Sequence, residues 1–192
     1  KIQVTENTVT TDKFDAIFSN KGANLITLNL SGYKQQDGSA EPLIQKNKQI
    51  FAVNTNFKDT AEDKFHLIKQ GSTSLEYQKN FPVGVSISKE FVFSDKEDLF
   101  RLQVKIKNTG TEKQHIRYSM ITPIVENESG LIGASTYREV VFKIDEEKIK
   151  KNAAKGIWAK MGRVQWIGMK NKYFSAIVKT PESIEKVTIS GE

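Results

Sequence analysis

The side chains best suited to acid–base chemistry near neutral pH are the two histidines, His66 and His115. Imidazole is the usual base that activates a nucleophile, and it must lie within hydrogen-bond reach of that nucleophile. Neither histidine lies near a catalytic motif such as G-x-S-x-G. We therefore interpret both as structural or exposed residues, and we predict no catalytic residue and no enzymatic activity.

Paired carboxylates offer a second kind of chemistry. The two acids of a glycoside hydrolase come from different strands and leave no local sequence signature. Glu126 and Glu139 are candidates for such a pair. The simpler interpretation is that both acids lie at strand ends or in turns. A carbohydrate-binding or sugar-active domain therefore stays open as the alternative function.

The sequence carries no recognisable motif for a metal, a phosphate or a cofactor. It has no cysteine, no H-E-x-x-H pair and no Asp-rich calcium loop. Residues 130–133 (GLIG) lack both the Lys-Ser/Thr of a P-loop and the third glycine of a dinucleotide-binding fingerprint. We predict no cofactor and no metal site.

Alternation of apolar and polar residues dominates the chain and predicts strands. The clearest case is 99–107, in which one face is apolar and the other polar. Residues 14–18 and 26–30 flank a turn at Asn20-Lys21-Gly22, which predicts an antiparallel hairpin. Further strands are predicted at 49–54, 65–69, 72–78, 85–93, 115–126, 137–144, 164–169, 173–179 and 185–190.

One segment, 145–155, has the features of a helix rather than a strand. It begins with a capping Asp145, continues with acids in the first turn and lysines toward the end, and is followed by Gly156. Its apolar residues are few, so we expect a short and exposed helix. The predicted fold class is all-β with this one short helix, in a single domain over 1–192.

The net charge of +6 is concentrated in one segment. From Lys143 to Lys172 there are nine basic residues and three acidic ones, a difference equal to the charge of the whole chain. Such a segment contacts nucleic acid or anionic lipid, or it forms a solvated, lysine-rich face. The candidate membrane- or partner-facing residues are Lys148, Lys150, Lys151, Lys155, Lys160 and Arg163.

The most specific pattern in the chain lies at 166–181 and reads W-x-G-x-x-x-x-Y-F, followed by a proline. Its landmark residues are Trp166, Gly168, Tyr173, Phe174 and Pro181. This pattern resembles a signature of the YidC-type membrane protein insertases, and residues 7–33 resemble the start of the same domain. In that family the domain is extracytoplasmic and is inserted between the first two membrane spans of the bacterial proteins.

The aromatic residues of this pattern are interpreted as core residues. Alternation around Phe174, Ala176 and Val178 predicts a buried sheet face, and we expect Trp166 and Phe174 to pack inside the sandwich. Binding to nucleic acid would instead require exposed aromatics among the basic residues. We therefore predict no nucleic-acid partner.

The resemblance implies an antiparallel β-supersandwich similar to galactose-mutarotase-like proteins, on the extracytoplasmic (periplasmic) side of the bacterial inner membrane. It implies a non-catalytic domain of an insertase and chaperone that assists membrane protein insertion and folding, as a docking or spacing module. The expected partners are Sec translocon subunits and nascent membrane proteins, with an anionic lipid surface as a further candidate. No apolar run reaches the ~18 to 20 residues of a membrane span. The anchoring spans are therefore expected outside this sequence, which would make the chain an excised domain.

Overall fold

The computed structural model describes residues 2–34, 38, 40–44, 50–122, 139–152, 156–170 and 175–191. These residues form antiparallel β-sheets joined by turns and loops, which confirms the all-β prediction. None of them belongs to a helix long and apolar enough to cross a bilayer. The chain divides into two compact units, Lys1–Pro123 and Ile124–Glu192. The single-domain prediction over 1–192 stays a prediction.

The described residues of the first unit form two four-stranded sheets and one two-stranded sheet. The strands are β1 (Glu6–Thr10), β2 (Phe14–Ser19), β3 (Asn24–Lys34), β4 (Ala40–Ile44), β5 (Val53–Thr55), β6 (His66–Gln70), β7 (Ser74–Phe81), β8 (Val85–Phe93), β9 (Phe100–Asn108) and β10 (Tyr118–Met120). One sheet has the order β1-β2-β3-β4, a second has the order β6-β7-β8-β9, and β5 pairs with β10.

Local sequence accounts for the best-defined strands of this unit. The apolar residues of β9 are half-buried, whereas Arg101, Gln103, Lys105 and Lys107 are exposed, as the alternation predicts. The predicted hairpin is formed by β2 and β3. Gly22 supplies the left-handed turn conformation between them, with a φ of 69°.

Phenylalanine rings fill the space between the two four-stranded sheets. The ring centroids of Phe18 on β2 and Phe91 on β8 are 4.6 Å apart, and Phe14 meets Phe93 at 5.8 Å. Phe93 in turn stacks on Phe100 of β9 at 4.9 Å. Because full burial of a phenylalanine side chain stabilises a protein by about 1.5 to 3 kcal/mol, these rings make a major contribution to the core.

The described residues of the second unit form one antiparallel sheet of four strands, in the order β12-β11-β13-β14. The strands are β11 (Glu139–Ile144), β12 (Glu147–Asn152), β13 (Gly156–Lys170) and β14 (Ser175–Gly191). One side of this sheet carries a cluster of buried residues, called the core cluster below: Val140, Phe142, Ile144, Ile149, Val164, Met169, Val187 and Ile189.

The predicted helix at 145–155 is wrong. Residues 147–152 form β12, which pairs with β11 through a connection at Asp145 and Glu146. Asp145 has a φ of 51°, a left-handed conformation that Asp adopts more readily than most residues do. Asp145 is therefore a turn residue. It resembled a helix cap in the sequence because Asp is favoured both in turns and at helix N-termini. Lys155 lies outside the described residues.

Burial along β12 shows why the strand forms. Ile149 lies opposite Phe142 and is buried, whereas its neighbours Lys148 and Lys150 are exposed. This is a period of two, and a pairing partner that can bury the apolar residue is already present in β11. With so weak a helical apolar stripe, strand pairing decides the structure.

Candidate functional site

Among the residues that the structure describes, no ion pair joins either histidine to a carboxylate. His66 is exposed at the start of β6, and His115 is exposed in the connection before β10. Within the described part of the chain, no three His, Asp or Glu side chains come close enough together to hold a metal ion. Glu126, one of the two candidate acids, lies outside the described residues.

Glu139, the other candidate acid, forms ion pairs with two lysines. Its carboxylate pairs with Lys150 of β12, and with Lys170 of β13 at 2.8 Å. Hydrogen bonds from Lys150 and then Lys170 hold the pKa of the Glu139 carboxyl below its ordinary value. This carboxylate is thus ionised and links three neighbouring strands, which is a structural role.

A surface depression in the first unit combines acidic, basic and aromatic side chains. It has a volume of about 370 Å³ and is lined by Asp12, Lys13, Leu30, Gly32, Tyr33 and Asp98. The Nζ of Lys13 lies 3.9 Å from Asp98 Oδ1, and both side chains are largely exposed. The depression is open to solvent and is lined by no histidine, the residue that acts most often as a general base.

The face of the second sheet that points away from the core cluster, called the outer face below, carries the start of the family-like motif. Trp166 lies beside Lys143 of β11 and Lys179 of β14, on the outer face, and is half-buried. The prediction that Trp166 packs in the core is therefore wrong. A β-bulge between Val164 and Trp166 reverses the alternation, since Val164 belongs to the core cluster.

Trp166 and Gly168 are adjacent on the outer face. A Cβ atom added to Gly168 would lie 3.6 Å from Cζ3 of Trp166 and 3.6 Å from Cγ1 of Ile177. Both distances are ordinary van der Waals contacts, so a methyl group would fit at this position and the indole lies close beside the glycine. The W-x-G spacing places these two residues side by side, because residues i and i+2 of a strand share one face.

The remaining landmarks of the motif are Tyr173, Phe174 and Pro181. Tyr173 and Phe174 lie outside the described residues, and so does the side chain of Pro181. The backbone of Pro181 falls where the pairing of β14 with β13 is irregular, between Lys179 and Ile184. Such irregular positions tolerate proline, because no ladder hydrogen bond requires its missing N–H.

The predicted basic residues do not all project to one side. Lys148 and Lys150 are exposed on the outer face. Lys151 instead lies on the core side, with Nζ 5.2 Å from the ring centroid of Trp158. Lys160 is half-buried and pairs with Glu147 at 2.6 Å.

Arg163 occupies the bulged region of β13, and its backbone is fixed by the β11–β12 turn. Its N–H donates to Asp145 Oδ1 at 3.0 Å, and its carbonyl accepts from the Asp145 N–H at 2.8 Å. The sequence prediction also left out four lysines that the strand register places on the outer face, namely Lys143, Lys170, Lys179 and Lys186.

Lys89 on β8 is a fully buried lysine that sequence reasoning missed. Its Nζ donates to the carbonyl oxygens of Gly22 at 2.6 Å, Phe51 at 2.8 Å and Ala23 at 3.4 Å. Burial lowers the pKa of Lys89 to about 7. All three acceptor residues have a positive φ, between 47° and 69°. The lysine therefore fixes backbone that adopts an unfavourable conformation at Ala23 and Phe51.

A sequence signal for Lys89 was available. Within β8 the buried positions Ile87 and Phe91 flank Lys89 at a spacing of two. A lysine on the apolar face of a strand must either extend its ammonium group to solvent or donate hydrogen bonds to acceptors inside the core.

Two solved structures have a similar fold. One is a galactose mutarotase-like protein from Lactobacillus casei, with a TM-score of 0.69 and 8% identity, covering 97% of this chain and 83% of that chain. The other is a galactose mutarotase related enzyme from Lactobacillus acidophilus, with a TM-score of 0.59 and 10% identity, covering 96% and 84%. At such low identity the similarity shows the fold alone, and it confirms the mutarotase-like supersandwich prediction.

No curated protein matches the sequence. The model of one protein family does match it, over residues 6–190, and its description is the YidC periplasmic domain. The match covers nearly the whole chain and includes both the N-terminal hairpin and the W-x-G segment whose resemblance is described above. This chain belongs to the YidC periplasmic domain family.

Proposed function

We propose that this chain is a non-catalytic domain of a membrane protein insertase, which assists insertion and folding of inner-membrane proteins as a docking or spacing module. The family match over 6–190 is the observation that carries this proposal. Its partners would be Sec translocon subunits and nascent membrane proteins, with an anionic lipid surface as a further contact. It would work on the extracytoplasmic side of the membrane, held there by membrane spans elsewhere in the protein.

The described side chains support a binding role rather than a catalytic one. Glu139 is held by two lysines, and Lys89 is used to fix backbone carbonyls. Both histidines are exposed, and the described ranges contain no cluster of side chains that could bind a metal ion. By contrast, large apolar side chains are exposed in both units, including Ile68, Leu99 and Ile177. Exposed apolar side chains of this size are suited to contacts with other molecules.

The alternative, a carbohydrate-binding or sugar-active domain, is supported by fold similarity at 8% and 10% identity. A mutarotase-like reaction needs an acid and a base that converge on one sugar. We expect no acceleration of anomer interconversion when common aldoses are followed by polarimetry. Acceleration that His66→Ala or His115→Ala abolishes would establish the alternative.

The docking role is tested by co-isolation from solubilised membranes. The whole insertase is compared with a variant that lacks residues 6–190 but keeps its membrane spans, after pulse-labelling of newly made membrane proteins. The proposal expects more translocon subunits and more labelled membrane protein with the complete insertase. Equal recovery from both proteins, at equal expression, would contradict a docking role for the domain.

A further inference from the structure

The outer face of the second sheet combines lysines and apolar side chains in register. Across the strands, Lys148 and Lys143 lie in one row with Trp166 and Lys179. The adjacent row contains Lys150, Val141, Gly168 and Ile177. Pairing fixes these neighbours about 5 Å apart. The basic and apolar side chains therefore form one continuous surface.

The apolar side chains of this surface extend well into solvent. Ile177 is 71% exposed, and Trp166 is half-buried beside it. Farther along β13, Ile157 is 82% exposed and Met161 is 71% exposed. These two residues alternate with Trp158 and Lys160, whose partners Ile189 and Val187 belong to the core cluster. Ile157 and Met161 thus also point away from the core cluster.

The charge of the outer face is strongly positive. The register places on it one acid, Glu139, together with six lysines: Lys143, Lys148, Lys150, Lys170, Lys179 and Lys186. Lys150 and Lys170 pair with Glu139, and Lys143 lies 3.4 Å from Glu146 in the turn. No ion pair is found for Lys148, Lys179 or Lys186 within the described ranges. Three exposed lysines therefore flank the apolar residues, and no described acid compensates their charge.

We propose that the outer face docks on an anionic bilayer surface, with Trp166 and Ile177 in the interfacial region and Lys148 and Lys179 near lipid phosphates. Tryptophan prefers the membrane interface, and lysines beside an apolar surface are attracted by anionic lipids. A sheet face surrounded by lysines complements a flat anionic surface. The inference deepens the proposed function and rests on its placement of the domain beside a membrane.

The experiment is flotation of the 192-residue chain with phosphatidylcholine vesicles, with and without phosphatidylglycerol, at low and at high salt. We expect binding only to the anionic vesicles, and at least tenfold weaker binding at high salt, because screening acts on these exposed charges. Lys148→Glu combined with Lys179→Glu should weaken binding more than tenfold. The matched control, Lys105→Glu with Lys107→Glu on β9, makes the same charge change on exposed residues of the first unit and should weaken it less than threefold.

The apolar contact is tested in the same assay. Ile177→Ser should weaken binding at least threefold, whereas Ile68→Ser, which changes an exposed isoleucine of the first unit, should not. Trp158→Phe leaves Trp166 as the remaining tryptophan of the chain's two. In this variant, brominated phosphatidylglycerol should quench tryptophan fluorescence by at least a third. Circular dichroism of every variant confirms that it remains folded.

Three results would overturn the proposal. The first is no binding to anionic vesicles at low salt. The second is an equal loss of vesicle binding in the β9 control variant and in the Lys148→Glu, Lys179→Glu variant. The third is vesicle binding without quenching of Trp166 fluorescence. In each case the lysines would serve solubility or an acidic protein partner instead. Because the vesicles contain no protein, a negative result leaves the co-isolation test of the proposed function unaffected.

Discussion

Lys89 and Phe51 are joined by a hydrogen bond inside the first unit, in which the lysine Nζ donates to the Phe51 carbonyl oxygen at 2.8 Å. Phe51 has a φ of 64°, which is unusual for a bulky side chain. The same Nζ also donates to the carbonyl of Gly22, in the turn between β2 and β3. One buried side chain thus holds two separate segments of strained backbone together.

Replacing this lysine should destabilise the protein. In Lys89→Met the chain keeps an apolar side chain of similar length, but the buried carbonyls of Gly22 and Phe51 lose their donor. We expect the free energy of unfolding at pH 8 to fall by about 2 to 4 kcal/mol, because each unsatisfied buried polar group costs about 1 to 3 kcal/mol and more than one carbonyl loses its donor. Chemical denaturation of the parent and the variant measures this difference in the free energy of unfolding. Lys105→Met, at an exposed position, should change it by less than about 0.5 kcal/mol. Equal stability of the Lys89→Met variant and the parent would show that these hydrogen bonds are not needed.

The same lysine predicts how stability depends on pH. Burial lowers the pKa of Lys89 to about 7 in the folded chain, whereas an unfolded chain has a lysine pKa of about 10.4. Below pH 7 both states hold the proton. Between pH 7 and 10 the unfolded state holds a proton that the folded state lacks. Stability should therefore rise with pH across this interval, by at most about 1.4 kcal/mol per pH unit.

The measurement is urea denaturation of the parent and of Lys89→Met at pH 6, 7, 8 and 9. The parent should become more stable relative to the variant at pH 8 and 9. Other groups titrate equally in both proteins, so the difference between the two curves isolates Lys89. Parallel curves over the whole interval would contradict a lowered pKa.

Gly22 should not tolerate a side chain. An added Cβ would lie 2.5 Å from the Ala61 carbonyl oxygen, and the φ of 69° is unfavourable for alanine. We expect Gly22→Ala to lower the free energy of unfolding by about 2 to 3 kcal/mol. Gly38→Ala is the control, because its φ of 85° carries the conformational cost but no atom of the described residues lies within 4 Å of the added Cβ. If both variants lost the same stability, the contact with Ala61 would be unimportant.

Trp166 should contribute less to stability than a core aromatic does. It is half-buried on the outer face, whereas Phe142 is fully buried in the core cluster. We expect Phe142→Ala to cost about 3 to 5 kcal/mol and Trp166→Ala about 1 to 2 kcal/mol. Comparison of their denaturation midpoints provides the measurement. A loss from Trp166→Ala as large as that from Phe142→Ala would mean that the indole lies in the core.

Alternation in the sequence was sufficient to predict the strands whose pairing is regular. The predicted strand at 85–93 coincides with β8, and the predicted strand at 99–107 is one residue from β9 at each end. The β2–β3 hairpin was also predictable, because Gly22 marks its turn. In these cases local residue preference and long-range pairing favour the same structure.

The sequence was insufficient where a distant partner decides the structure. The 145–155 segment has helix-like ends, but β11 offers a strand partner that buries Ile149. The bulge before Trp166 depends on pairing with both β11 and β14, so the alternation around the motif assigned this residue to the wrong face. Lys89 depends on carbonyls from turns 38 and 67 positions away along the chain. None of these partners is visible in a local window.

Photo-crosslinking in intact cells tests the proposed role of the domain most directly. A photoreactive amino acid replaces, one at a time, exposed apolar residues of the first unit, Ile68, Val83, Leu99 and Tyr118, within the whole insertase. We predict that at least one of these positions crosslinks to a translocon subunit or to a newly made membrane protein. If no position gave a crosslink to either kind of protein, in an insertase that is expressed and active, the docking role proposed for this domain would be contradicted.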